Sequence, residues 1–189
     1  ENTIPDPISN QKHGITTGVV FRGKLVGDKV TSANPNPIYV YQNVLYGTAA
    51  ELKSAAESGA NPSLTVAYEK AMQGATADQT IDDIENVGEY NFIRYKANDN
   101  GDYEMYYYYW NRHNDNLDPA IMGPMEFAVV RNNVYKLAVE SISNYGHPGE
   151  PGDDPDPVDP DDPDEEVNIY FKVSVKVLPW VVRVNNSEF

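Results

Sequence analysis

A mainly β fold, a β-sandwich carrying a short two-helix insertion, is the architecture this 189-residue sequence predicts. Three observations lead there. Runs of period-two alternation recur along the chain, and that period places successive side chains on opposite faces of a strand. Asn- and Gly-containing turn signals separate the runs. Only one stretch, about 48–74, changes to the helical period. Many short strands with two helices between them fit stacked sheets better than a parallel α/β fold.

Residues 1–14 are polar and rich in Pro, Asn and Gly, and read as an entry arm. The opening Glu1-Asn2-Thr3-Ile4-Pro5 lacks a charged-then-apolar leader and is not a signal peptide, so an export signal is expected upstream. From Ile15 to Val26 the residues Val19, Phe21 and Leu25 face one way, with Arg22 and Lys24 on the other side. The Asn34-Pro35-Asn36-Pro37 breaker precedes a short expected strand at Ile38–Tyr41.

The helical pair follows. Thr48 and Glu51 have capping-box spacing ahead of Leu52, Ala55 and Ala56, and Gly59 stands where a left-handed residue ends a helix. Asn61-Pro62 is a second N-cap followed by Pro in the first turn. Leu64, Ala67, Tyr68 and Ala71 then repeat at helical spacing until Gly74.

From Gly88 the alternation returns, with Tyr90, Phe92 and Arg94 opposed to Asn91, Ile93 and Tyr95. Asn100-Gly101 predicts a two-residue hairpin whose return strand is Tyr103–Trp110. Glu126–Val130, an Asn132-Asn133 turn and Val134–Ile142 predict a further hairpin-like pair, with Tyr135, Leu137 and Val139 on one face. The last strand is the clearest. Val167, Ile169, Phe171, Val173, Val175 and Val177 point one way, against Asn168, Tyr170, Lys172, Ser174 and Lys176. Pro179, which has no N–H, is expected to interrupt it, and the apolar phase moves to Trp180, Val182 and Val184.

Composition divides the chain. Residues 146–166 hold seven Asp, three Glu, six Pro and no Lys or Arg, and so carry ten of the fifteen net negative charges. The boundaries expected are a sandwich domain over 1–145, an acidic Pro/Asp linker over 146–166, and C-terminal strand material over 167–189. Pro every two or three residues favours an extended chain, and like charges stretch it further. A calcium loop would need defined ligand spacing and a Gly turn, which this run lacks. The linker reading is preferred.

The same inventory excludes several functions. A chain this long hides about 70% of its unfolded surface and needs no covalent staples. Without Cys there is no disulfide framework, thiolate zinc site or Cys nucleophile. A net charge of −15 opposes nucleic-acid binding. His13, His113 and His147 lie far apart in polar segments and read as surface residues. No Gly-rich phosphate loop follows a strand and no carboxylate pair stands out, so neither an enzyme, a cofactor nor a metal is expected. No apolar run reaches the length of a membrane span.

Two segments keep two readings. Tyr106-Tyr107-Tyr108-Tyr109-Trp110 is foremost a central strand covered on both faces. Its alternative is an aromatic platform for sugars or partner chains, built on Tyr107, Tyr109 and Trp110. Leu178–Val184 either closes its own sheet or is a strand offered to a neighbouring molecule. Pattern alone weighs these two equally.

Met122-Gly123-Pro124-Met125-Glu126-Phe127-Ala128-Val129-Val130-Arg131-Asn132-Asn133-Val134-Tyr135-Lys136-Leu137 resembles the signature of the Mfa-type fimbrillins, the major shaft subunits of Bacteroidales fimbriae. The aromatic run with Trp110-Asn111-Arg112-His113-Asn114 fits the same family. So does the Asp/Pro tether followed by Val173–Asn185. The resemblance covers roughly Thr16–Phe189 and is densest after residue 100. It implies a transthyretin-like β-sandwich, the second of two such domains, in a lipoprotein anchored to the outer membrane by an upstream lipidated Cys. It also implies removal of an early strand by a protease with Arg/Lys specificity, and donation of a strand between subunits.

Under that resemblance the chain is a structural pilin domain at the cell surface, supporting adhesion and biofilm formation. Its implied partners are other copies of the subunit, accessory fimbrial proteins and host or bacterial surface receptors. Trp180, Val182 and Val184 are then the polymerisation residues. The competing reading is a surface adhesin or carbohydrate-binding module, a tip or accessory subunit that uses the Tyr-rich face.

Overall fold

The computed structural model describes residues 17–30, 36–114, 116–118, 125–149 and 171–179. They are mainly β. The strands are β1 (Gly18–Lys24), β2 (Ile38–Tyr41), β3 (Val44–Tyr46), β4 (Ile93–Tyr95), β5 (Glu104–Trp110), β6 (Asn133–Ile142) and β7 (Phe171–Pro179). Helices α1 (Ala49–Glu57) and α2 (Pro62–Ala71) follow β3, with 3-10 turns at Ile81–Asp83 and Val87–Tyr90. The chain divides into two compact units. Phe21–Tyr107 with Asn144–Pro157 form a helical unit; Glu1–Val20, Tyr108–Ser143 and Val158–Phe189 form a ribbon unit. The division falls inside β1 and β5, which pair with each other.

The helical unit is built on β2, whose four residues are all buried. It pairs antiparallel with β3 on one side and β4 on the other. Tyr41 lies opposite Val44, so only Gln42 and Asn43 make the turn, at φ 46° and 64°. Positive φ at both positions gives the twist that a two-residue hairpin needs. On one face of β2, Tyr39 and Tyr41 pack with Leu52 and Ala56 of α1 and with Leu64, Ala67, Tyr68 and Ala71 of α2. On the other face, Ile38 and Val40 pack with Leu25, Tyr95 and Tyr103. Each fully buried Leu or Ile contributes about 1.5–3 kcal/mol, which accounts for the central place of so short a strand.

The helix ends follow their sequence signals. Thr48 Oγ1 accepts from the Glu51 N–H at 3.1 Å, and Asn61 Oδ1 accepts from Ser63 N–H at 3.1 Å and Leu64 N–H at 3.2 Å. Gly59 and Gly74 adopt φ 69° and 89°, the left-handed values expected after each helix. The return half of the capping box is displaced by one residue. Glu51 Oε2 accepts from Gly47 N–H at 2.8 Å, and the other carboxylate oxygen pairs with Lys29.

Several expected elements are corrected. The strand expected from Gly88 begins only at Ile93, because Val87–Tyr90 is a 3-10 turn and Asn91 is left-handed, with φ 64° and ψ 24°. The turn at Asn100-Gly101 is a three-residue loop. Gly101 N–H donates to Asn98 O at 2.8 Å, Asn98 N–H donates to Asp102 O at 2.8 Å, and only Gly101 has positive φ, 79°. That is the bulged loop with Gly in the left-handed position. The strands on either side of it, β4 and β5, then enter different sheets.

In the ribbon unit β6 pairs antiparallel with β7, from Asn133 opposite Pro179 to Ile142 opposite Phe171. The register shifts between Val139 and Ser141, the mark of a bulge. Tyr135 and Leu137 of β6 and Val173, Val175 and Val177 of β7 are half-buried, between exposed Lys136, Lys172, Ser174 and Lys176. The expected parity of β7 therefore holds over its described residues; 167–170 lie outside them. Pro179, opposite Asn133, is the last described residue of β7, and the phase change expected beyond it lies outside the described residues. Glu126–Val130 is not a strand: Met125–Phe127 form a turn, with Ala128 N–H donating to Met125 O at 3.2 Å, and the partner of β6 is β7.

Candidate assembly segment and aromatic strand

Trp180, Val182 and Val184 lie outside the described residues. The aromatic residues proposed for a platform are described. In the helical unit, Tyr106 N–H donates to His147 O at 2.9 Å and His147 N–H donates to Tyr106 O at 2.8 Å. Tyr95 Oη donates to the Gly146 carbonyl, and Tyr107 Oη donates to Asn144 O at 3.0 Å. A Cβ at Gly146 would stand 2.6 Å from Tyr106 O, so the approach of this segment to β5 requires Gly. The first two residues of the Asp/Pro-rich stretch are thus docked in the fold.

Tyr106 and Tyr107 are 6% and 4% exposed. Tyr107 presents no open ring face, and its hydroxyl is committed; a platform cannot be built on it. Tyr109 and Trp110 are half-buried. Within the ribbon unit Trp110 lies against Gly18, where a Cβ would stand 2.3 Å from the indole ring. Within β5, then, Tyr106 and Tyr107 are buried, while Tyr108, Tyr109 and Trp110 are half-buried. Burial raises the Tyr95 and Tyr107 hydroxyls above the ordinary phenol value, which keeps them protonated donors. Burial also lowers His147, so the folded state favours its neutral ring.

The ribbon unit brings together two segments that are far apart in the sequence pattern. Arg112 Nη1 lies 2.6 Å from Glu126 Oε1, and the Glu126 side chain is fully buried. The Arg112 guanidinium also stacks 4.6 Å over the Phe127 ring. Next along the chain, His113 N–H donates to Glu126 O at 2.7 Å. His113 Nδ1 lies 3.0 Å from Tyr135 Oη, which accepts from Val130 N–H at 2.9 Å. The Tyr135 hydroxyl thus joins the His113 ring to the Val130 backbone. His113, expected as a surface residue, is a half-buried connector between the turn at Glu126 and the start of β6. His13 lies outside the described residues.

These contacts clamp the turn at Glu126 to the end of β5 and the start of β6. They also join the Trp110–Asn114 and Met125–Leu137 segments into one structural element. Residues 100–186 match the family model for the fimbrillin C-terminal region, the major fimbrial subunit protein type IV. The match to fimbrillin takes in β5, β6 and β7 and both sides of the Arg112–Glu126 clamp. It supports a relationship to the fimbrillin family for this segment. No curated protein is significantly similar to the chain. Among the described residues, no helix is long and apolar enough to cross a membrane, and no group of three or more acidic or His side chains could hold a metal ion.

Sequence reasoning missed Arg112, Glu126 and Tyr135 as a joined set. The fimbrillin-like motifs named both segments, but nothing in their spacing said that they touch.

Proposed function

We propose that the chain is the C-terminal domain of a fimbrial shaft subunit of the Mfa type found in Bacteroidales, polymerising by strand donation. The observation that carries this reading is the fimbrillin match over residues 100–186. In this reading the strands complete a transthyretin-like sandwich with the α1–α2 pair as an insertion, and the Asp/Pro stretch is a spacer. The subunit sits at the cell surface, attached to the outer membrane through a lipid anchor upstream. It assembles with copies of itself and with accessory fimbrial proteins, and the filament meets surface receptors in adhesion and biofilm formation.

The β6–β7 ribbon is compatible with strand exchange. Among the described strands, β6 and β7 pair only with each other. Unpaired ladder groups at a sheet edge are a template for a further strand. Residues 180–189 follow β7 directly in the sequence. Trp180, Val182 and Val184 would fill pockets on the neighbour, while Arg183 and Asn185 face the rim. Their burial gives about 1.5–3 kcal/mol each, less than the ordering of ten residues at about 1–2 kcal/mol each. The acceptor must therefore also supply ladder hydrogen bonds, about 1 kcal/mol each, along a deep groove.

The test ends the chain after Pro179 in fimbriated cells and examines the filaments by electron microscopy. Loss of filaments with an unchanged monomer melting curve is expected. Normal filaments overturn strand donation by the tail. A monomer that melts well below wild type shows instead a tail that closes its own sheet.

A further inference from the structure

A cavity of about 460 Å³ opens along α2 in the helical unit. The volume falls within the range of small-ligand sites, about 300–1,000 Å³. One wall is the α2 face from Pro62 through Val66 to Lys70, which at 1.5 Å per residue extends about 12 Å. Opposite stand Glu89, Tyr90 and Asn91, with Tyr41 also lining the cavity.

The chemistry of these walls is specific. Lys70 and Glu89 face the same cavity yet form no ion pair. No described hydrogen bond engages the Lys70 ammonium, the Glu89 carboxylate, the Tyr90 hydroxyl or the Asn91 side-chain amide. A donor-only group, an acceptor-only group and two groups that can do both therefore line one groove, uncommitted. Their neighbours are apolar: Val66 is 50% exposed, and Tyr90 is half-buried against the core. The left-handed backbone at Asn91 ends the 3-10 turn and fixes where this wall turns.

We propose that this groove is a binding site for a neutral oligosaccharide. Sugar hydroxyls donate and accept at once, which suits a wall carrying both a fixed donor and a fixed acceptor. The C–H face of a pyranose suits the Tyr90 ring and Val66. The opposite charges of Lys70 and Glu89 cancel, so neither an anionic nor a cationic ligand is favoured overall. A peptide is less well served, because these walls are helix and 3-10 turn and offer no open strand edge for main-chain pairing. This site is separate from the aromatic run of β5 and does not depend on the fimbrial reading.

The experiment applies the full chain to an array of neutral, sialylated and sulfated oligosaccharides, beside Glu89→Gln and Tyr90→Ala. A fluorescent tripeptide serves as the competing probe. Glu89 is exposed, so Glu89→Gln tests the groove without disturbing the core, whereas Tyr90→Ala also removes packing. Retention of at least one neutral glycan, reduced about tenfold in Glu89→Gln, is expected; that factor corresponds to about 1.4 kcal/mol. The proposal is overturned if no neutral glycan is retained, or if retention is undiminished in Glu89→Gln. It is equally overturned if only charged glycans bind, or if the tripeptide binds with the Glu89 dependence expected of the sugar.

Discussion

Arg112 and Glu126 are 14 residues apart in the chain and 2.6 Å apart in space, and their contact holds the turn at Met125–Phe127 to the end of β5. Glu126 is wholly buried and the Arg112 side chain is 17% exposed. Truncating one member of such a pair strands a charge without water. Glu126→Ala is expected to cost about 3–5 kcal/mol, and Glu126→Gln, which keeps a hydrogen-bond acceptor, clearly less. Urea melts of both variants check this. Equal, small losses would show that the pair adds little.

Gly18→Ala places a methyl group within the Trp110 ring volume, so the indole must move. Overpacking of this kind costs about 1–3 kcal/mol. Trp110 and Trp180 are the two tryptophans of the chain, so the variant is read in a Trp180→Phe background. Red-shifted emission and a lower melting point are expected. An unchanged spectrum would place the ring elsewhere.

His147 gives a pH dependence of defined sign. Burial lowers its folded value below the ordinary 6.5. Below that value the unfolded chain takes up a proton that the folded chain resists, so this contribution to stability is present above about pH 6.5 and is lost as pH falls through the lowered folded value. Stability measured between about pH 7 and 5 should therefore decline less steeply in His147→Gln than in wild type. Parallel curves would remove His147 as the source. The backbone bonds to Tyr106 need no imidazole and should survive the substitution.

Deleting Gly152–Asp162 should leave the thermal midpoint nearly unchanged or slightly raised. The deleted span has one apolar residue besides Pro and Gly, Val158, and so little surface to bury. Halving a connector lowers its closure cost by only about 0.6 kcal/mol. A large loss of stability, or a midpoint that rises with added calcium in the wild type, would show a structured site instead.

Elements with local causes were legible. The alternation of β1, with Val19, Phe21 and Gly23 half-buried and Leu25 buried, needs no information beyond its own residues. The caps at Thr48 and Asn61 are likewise local. The failures occur where a distant contact or one backbone torsion overrides a local pattern. Tyr90, Phe92 and Arg94 alternate like a strand, yet the left-handed Asn91 breaks it, and Phe92 is held at 5.0 Å from the Tyr41 ring instead. Glu126–Val130 has strand-like composition, but Arg112 and His113 hold Glu126 in a turn. Of the candidate residues, Tyr107 alone is buried enough to settle its place, and its partners are in the Asn144–Gly146 segment, which no periodicity links to β5.

The two strands of the β6–β7 ribbon are joined only through the long acidic connector, and the register is set along the ladder rather than by a tight turn. β7 thus behaves as a tethered ligand of β6. A covalent tether supplies an effective concentration that reaches the millimolar range when short and flexible and declines slowly with length. One backbone cut between His147 and Phe171 would convert that intramolecular partner into a separate peptide. Its occupancy would then follow dilution and competition from any other strand of matching parity, even though every contact in the ribbon was unchanged at the moment of cleavage.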